Sequence, residues 1–370
     1  MSNVHHTAVI ESGAQIDPNA VVGPFCHVGR HVRIGKGTRL ISNVTVMGRT
    51  TIGEHNIIWP QASLGGDPQD LKYTGEEVHL TIGDHNDIRE NVTIHMGTGN
   101  GGGITRVGSD NLLMVSSHVA HDCIVGNHCI LANAVTLAGH VTIEDHANVA
   151  GMAGIHHYCT VGQYAYVGGM TRVVKDVPPF CLYEGDPARE RGINAIGLER
   201  HGFSPNTLLL LKEAFKRLFL RTDRVTHVPT SNRRKWYAFK TWFRTDPLPR
   251  EAVDDEVMPI NLSQRLELLA AEFPNEECIQ ILCQFLRNRS VGMSGRYRET
   301  LRRDDRRKKG FAALAAPEGD AKAGPADAGR KVESHNTTDV PDAPDAADGS
   351  SVVVNENGQL DAPARSRAYR

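Results

Sequence analysis

The chain has 370 residues and a formal net charge of −2, which is long for one ordinary domain of roughly 150 residues and lacks the cationic excess of a nucleic-acid binder. Its seven cysteines, without a CxxC pair, argue against a disulfide framework and a structural zinc site. No apolar run reaches the roughly 18 residues of a membrane span, and MSNVHHTAVIESG has neither the charged start nor the apolar core of a signal peptide, so a cytoplasmic protein without stable membrane insertion is expected.

A repeat of six opens the chain. Aliphatic residues stand at Ile10, Ile16, Val22, Val28, Ile34, Leu40, Val46, Ile52 and Ile58, return at Ile82, Ile88 and Ile94, and run from Val107 to Val173 without a miss. Four places later the residue is mostly small or β-branched, as at Ala20, Cys26, Thr38, Cys123, Cys129, Ala147 and Cys159. Two inward positions per six residues are strand alternation interrupted by a corner, and they exclude a helix of period 3.6. The pattern predicts a parallel β-helix of triangular section, three hexads per coil, over residues 1–192. Its left-handedness does not follow from spacing.

Two interruptions, residues 59–81 with GGDPQDLKYTGEE and 95–106 with the flexible GTGNGGG, are expected to leave the coil as surface loops. Beyond residue 192 the spacing becomes helical over 204–221 and over 261–288, the latter split at Pro274. A helical region is therefore expected over 193–304, with an insertion near 223–257, and a disordered tail over 305–370. Residues 201–250 carry 11 Lys and Arg against 3 Asp and Glu, among aromatic residues such as Phe215, Trp236 and Trp242. Such a surface fits an acidic partner.

Eighteen histidines raise the question of whether any are concentrated. Hexads beginning at Val119, Leu137 and Ile155 are 18 residues apart and stack on one face, which brings His118, His121, His140, His156 and His157 into a ladder. His5, His31, His55, His85, His128 and His146 fall in no such stack and are expected to be solvated turn residues. His121 is followed by Asp122, the pairing used by a general base, provided that a corner lets the two side chains meet. The N–H of Gly139 could serve a developing oxyanion. Spacing alone leaves catalysis and metal binding by this cluster equally open.

The segment GSDNLLMVSSHVAHDCIVGNHCILANAVTLAGHVTIED, the loop QDLKYTGE, IRENVTIH and INAIGLERHGFS together resemble the UDP-N-acetylglucosamine O-acyltransferases, over roughly residues 5–222. The resemblance implies a left-handed β-helix, a homotrimer with sites between subunits, and transfer of a 3-hydroxyacyl group from acyl carrier protein to the sugar 3-hydroxyl of UDP-N-acetylglucosamine, the first step of lipid A biosynthesis. It also implies no cofactor beyond the carrier's own phosphopantetheine, no metal and no nucleic acid. It makes His121 the general base, Asp122 its orienting partner and Gly139 the oxyanion donor. Gln69, Asp70, Lys72, His118, His140, His156, Asn194 and Arg200 match substrate-contacting positions, and Gly169 matches a position that limits acyl length. Arg200, Lys212, Lys216, Arg217 and Arg221 are the nearest candidates to dock the acidic carrier.

Three departures stand out. His157 replaces a frequent glutamine and bears on sugar contacts; Asp186 and Pro187 replace an asparagine–histidine pair near the acyl pocket; and the region after residue 222 departs most, with an insertion through Trp236 and Trp242 between helices and an extra tail. Rival readings are a carbonic-anhydrase-like zinc enzyme, a non-enzymatic scaffold, and a sister N-acyltransferase or an acetyltransferase using acetyl-coenzyme A.

Overall fold

The computed structural model describes residues 3–220 and 261–291; the insertion at 223–257, Arg221 and the tail at 305–370 lie outside the described residues. Each hexad contributes a short strand, mostly of two residues, and a turn. His118–Val119, Ile124–Val125 and Ile130–Leu131 form three sides of one coil. Equivalent strands stack into sheets of nine, eight and ten strands, and His118 pairs with Thr136, Thr136 with Gly154 and Gly154 with Arg172 in parallel register. The result is a left-handed parallel β-helix followed by helices.

Burial of the six-residue repeat holds the coils together. Every aliphatic repeat residue is buried except Ile10 and Ile16 of the first coil, which are half-buried. Each fully buried Val, Ile or Leu contributes roughly 1.5–3 kcal/mol. Cys26, Cys123, Cys129 and Cys159 are buried among them, and burial pushes the thiols of Cys123 and Cys129 up to about 12, so they act as small apolar side chains.

The corners repeat as regularly as the strands. Their second residue takes the left-handed conformation, as at Asp122 (φ 60°), His140 (φ 64°) and Tyr158 (φ 63°). At the corner between the eight- and ten-stranded sheets this rule corrects the expectation of unstacked histidines. His55 stacks on His85 with ring centroids 5.1 Å apart, His128 on His146 at 4.7 Å and His146 on Tyr164 at 4.5 Å. The inserted residues between His55 and His85 hide the repeat of 18, while His128 and His146 keep it.

The first interruption is also shorter than expected. Ser63–Gly66 forms a strand paired with Thr45–Val46, and Leu64 continues the six-residue step into the core.

An antiparallel hairpin, Cys181–Glu184 with Arg189–Ile193, ends the ten-stranded sheet. Helices follow at Ala195–Arg200, Pro205–Phe219, Leu262–Glu272 and Glu277–Val291. The Ser204 hydroxyl caps the second by accepting from Thr207 N–H, and Asn261 with Gln264 makes a capping box on the third. Leu198, Leu211, Leu218, Leu269, Leu282 and Leu286 form a second core with Phe180. Arg217 is drawn into this packing: it pairs with Glu213 at 3.0 Å and Glu272 at 2.7 Å. It braces two helices and is therefore not a free docking cation, whereas Lys212 and Lys216 are exposed. Among the described residues, no helix is long and apolar enough to cross a membrane.

Candidate active site

Three adjacent strands of the nine-stranded sheet, Ser63–Gly66, Thr93–His95 and His118–Val119, end along one edge. The first two lead into the inserted loops and the third into the His121–Asp122 corner. The insertions therefore stand beside the histidine ladder because they interrupt the same corner in successive coils. A cleft of about 420 Å³ runs along this face, lined by Gln69, His118, Thr136, His121, Gly139, Gly154, His156, His157 and Arg172.

The left-handed backbone of Asp122 turns its carboxylate back towards its neighbour. The His121 Nδ1 lies 2.8 Å from Asp122 Oδ2. The Thr98 N–H donates to Oδ1 at 2.8 Å and the Thr98 hydroxyl to Oδ2 at 2.7 Å. Burial alone would raise the Asp122 pKa, but the hydrogen bonds from His121 and Thr98 outweigh it and hold the carboxyl below its ordinary range. An ionised carboxylate only accepts, so Nδ1 of His121 carries the proton in this bond, and in the neutral imidazole the lone pair then stands on Nε2. His140 lies edge-on to His121 at 5.2 Å, with its Nε2 3.7 Å from Asp122 Oδ2 and its ring stacked on Tyr158.

His121, Asp122 and His140 offer ligand atoms within 4.8 Å of one another, close enough to hold a metal ion. The carboxylate of this set already accepts from His121 Nδ1 and from the N–H and hydroxyl of Thr98, and the same pairing also serves proton transfer by the histidine.

Gly139 occupies the turn position one coil beyond His121. A Cβ there would lie 2.5 Å from His121 Cε1 and 2.7 Å from Nε2, so only glycine leaves the ring in place. Gly139 itself lines the cleft beside that ring. His118 accepts from or donates to the Thr93 hydroxyl at 2.7 Å. Burial, followed by the nearby His95 and His121, lowers the His118 pKa from its ordinary 6.5 to about 4. A histidine kept neutral by folding supports the native state fully above its unfolded value, and that support is lost as pH falls towards the folded value. Stability should therefore decline between pH 6.5 and about 4, with His118 among the groups responsible. Urea unfolding across this window should show a flatter pH dependence in His118→Asn, and an identical slope in both proteins would refute the assignment.

The cleft does not collect every expected residue. Asp70 and Lys72 stay on the first loop, where Lys72 N–H donates to Asp70 Oδ1. Asn194 caps a helix by accepting from Gly197 N–H and ties it to the coil by donating to the Tyr164 carbonyl at 2.9 Å. Arg200 is exposed at that helix's end. Gly169 lies at the opposite corner of the nine-stranded face, leading into Arg172–Val173. Conversely, Thr98, Gly101 and Thr105 adjoin Asp122 and were not singled out. GTGNGGG is packed in part: Gly97 and Thr98 are buried, and a Cβ on Gly101 would meet the Asp122 carboxylate at 2.1–2.3 Å.

The comparisons with known proteins place this coil among the hexapeptide-repeat acyltransferases. Residues 7–42 match the bacterial transferase hexapeptide family (six repeats), and residues 176–233 match UDP N-acetylglucosamine O-acyltransferase, domain 2. The acyl-[acyl-carrier-protein]--UDP-N-acetylglucosamine O-acyltransferase of Anaeromyxobacter sp. (strain Fw109-5) is 50% identical over 216 residues, 58% of this chain and 84% of that protein. Among solved structures, LpxA from Acinetobacter baumannii is 38% identical with a TM-score of 0.63 over 80% of this chain and 98% of its own. The Francisella novicida UDP-N-acetylglucosamine acyltransferase is 32% identical with a TM-score of 0.64, over 76% and 90%. The chain belongs to the acyl-[acyl-carrier-protein]--UDP-N-acetylglucosamine O-acyltransferase family.

Proposed function

We propose that the cleft transfers a 3-hydroxyacyl group from acyl carrier protein to the 3-hydroxyl of UDP-N-acetylglucosamine, the entry step of lipid A synthesis, with His121 as general base. The observation that carries this reading is the His121–Asp122 pair, 2.8 Å apart and opening on the cleft. The Nε2 lone pair takes the proton of the sugar hydroxyl as its oxygen attacks the thioester carbonyl. The Gly139 N–H donates to the oxyanion of the tetrahedral intermediate. Collapse expels the pantetheine thiolate, which takes from the imidazolium the proton that left the sugar hydroxyl. No cofactor of the protein's own enters this sequence. Incubation of the full chain with UDP-N-acetylglucosamine and a 3-hydroxyacyl carrier protein should yield a sugar nucleotide heavier by one acyl group. Activity only with a 3-amino sugar, or only with acetyl-coenzyme A, would overturn the substrate assignment.

A cytoplasmic homotrimer completes this reading. Asp70, Lys72, Asn194 and Arg200 match substrate-contacting positions yet do not line their own chain's cleft, which supports a site shared between copies. Leu71, Met152 and Met170 are exposed to 107%, 64% and 77%, a feature that a neighbouring subunit would cover.

The carrier is assigned to the exposed face of Pro205–Phe219, where Leu209, Lys212 and Lys216 stand at helical spacing. Charges at an interface rim act mainly on association and its salt dependence. Lys212→Glu with Lys216→Glu should raise KM for the carrier-bound donor about tenfold or more and leave KM for the UDP-sugar nearly unchanged. Equal effects on both substrates would place the carrier elsewhere.

A further inference from the structure

Asp122 is held by a second group besides His121, and that group comes from neither the hexapeptide coil nor the histidine ladder. Thr98 lies in the second inserted loop, 2% exposed, immediately before the short 3-10 turn Gly99–Gly101. The turn itself is closed by the Thr98 carbonyl, which accepts from the N–H groups of Gly101 at 2.9 Å and Gly103 at 2.8 Å. The Thr98 hydroxyl takes no part in that turn. Its hydrogen bond goes to Asp122 Oδ2, the same oxygen that faces His121 Nδ1.

We propose that Thr98 is a positioning residue for the acyl transfer, acting through Asp122 to hold the His121 imidazole in its reactive orientation and tautomer. This rests on the general-base reading of His121. The Thr98 N–H and O–H serve one carboxylate oxygen each, so the carboxylate plane is pinned on both sides and Oδ2 remains directed at Nδ1. The Asp122 side chain has no exposed surface, so water is not at hand to replace the hydroxyl. From behind, the Asp122 N–H donates to the Thr105 hydroxyl at 2.8 Å, and Gly101 covers the carboxylate so closely that a Cβ would collide with it. A carboxylate deprived of one charge-assisted donor in this enclosure loses both stabilisation and direction.

The two loops are also tied together. Glu76 of the QDLKYTGEE loop accepts from the Gly99 N–H at 3.0 Å through one oxygen and from Thr74 N–H at 2.9 Å through the other. The loop carrying Gln69 of the cleft wall is thus hydrogen-bonded to the residue adjoining Thr98, so the insertions form one assembly behind the catalytic pair.

The test is a kinetic series on the full-length enzyme. Thr98→Val, which keeps the shape and the N–H but removes the hydroxyl, should lower kcat about tenfold with KM for UDP-sugar changed less than about twofold. Thr98→Ser should restore turnover to within about twofold of wild type. In an Asp122→Asn background, Thr98→Val should cost less than about twofold more, because a residue acting through the carboxylate has nothing further to lose. Wild-type turnover in Thr98→Val, failure of serine to restore it, or full additivity with Asp122→Asn would each overturn the proposal. If the valine variant does not fold, Thr98→Ala removes the same hydroxyl and is read the same way. His121→Ala is run alongside: an active His121→Ala defeats the general-base reading itself, whereas an inactive His121→Ala with an unaffected Thr98→Val defeats only the role of Thr98.

Discussion

Replacement of His121 by alanine is expected to lower kcat by at least about 10²-fold, the usual worth of a positioned general base. The fold should survive. His121 sits at a turn outside the aliphatic core, and its loss leaves the Asp122 carboxylate still bound by both donors of Thr98. KM should change little by comparison, since proton transfer is made in the transition state. Asp122→Asn should cost less than His121→Ala: asparagine retains an acceptor oxygen and tolerates the left-handed backbone, φ 60° in the native chain. Steady-state kinetics on folded protein of unchanged oligomeric state would check both. Near wild-type turnover in His121→Ala would remove histidine from the chemistry, and a stoichiometric metal in the purified wild type would then revive the zinc reading.

Gly169→Met is expected to move the preferred donor to a shorter acyl chain while sparing activity on that chain. Two glycines adjoin here, and the fold treats them differently. A Cβ on Gly168 would come within 2.6 Å of Glu184 Cβ, so Gly168 is required by packing; one on Gly169 would meet only the Gly151 carbonyl, at 3.3 Å. Gly169 is exposed, and the left-handed residue of that corner is Met170. Backbone conformation does not demand glycine at 169, and the contact a Cβ would make there is far looser than at Gly168, needing the Gly151 carbonyl to give only slightly, which favours its reading as space kept open for substrate. Each buried methylene is worth about 0.8 kcal/mol, so a side chain that excludes several of them shifts preference by orders of magnitude. A donor series of increasing chain length, run on both proteins, reads the effect. The same length profile in both would show that another residue sets the limit, with Pro187 on the closing hairpin the next to test.

The coil, its three sides and its inward residues were legible in the amino-acid order because hexapeptide strands contact residues one turn away, at a constant spacing of 18. His118, Thr136, Gly154 and Arg172 line up for that reason. The same arithmetic brought His121 and His140 together, and the resemblance supplied their roles. Inserted residues break that spacing between His55 and His85 and beyond Leu64, so neither their ring stack nor the strand Ser63–Gly66 is marked by the repeat of 18.

The environment of Asp122 was beyond reach of any spacing rule. Thr98 lies 24 residues before Asp122, in a loop whose composition suggests only flexibility, and it reaches the carboxylate because that loop folds back over the corner from which it departs. Arg217 likewise reads as a surface cation until the helix Leu262–Glu272 brings Glu272 within 2.7 Å. Local and periodic contacts are written in the sequence because the chain makes them with near neighbours or at a fixed repeat. Partners supplied by a loop's return or by a later helix depend on where the chain travels in three dimensions, and only the tertiary structure decided them.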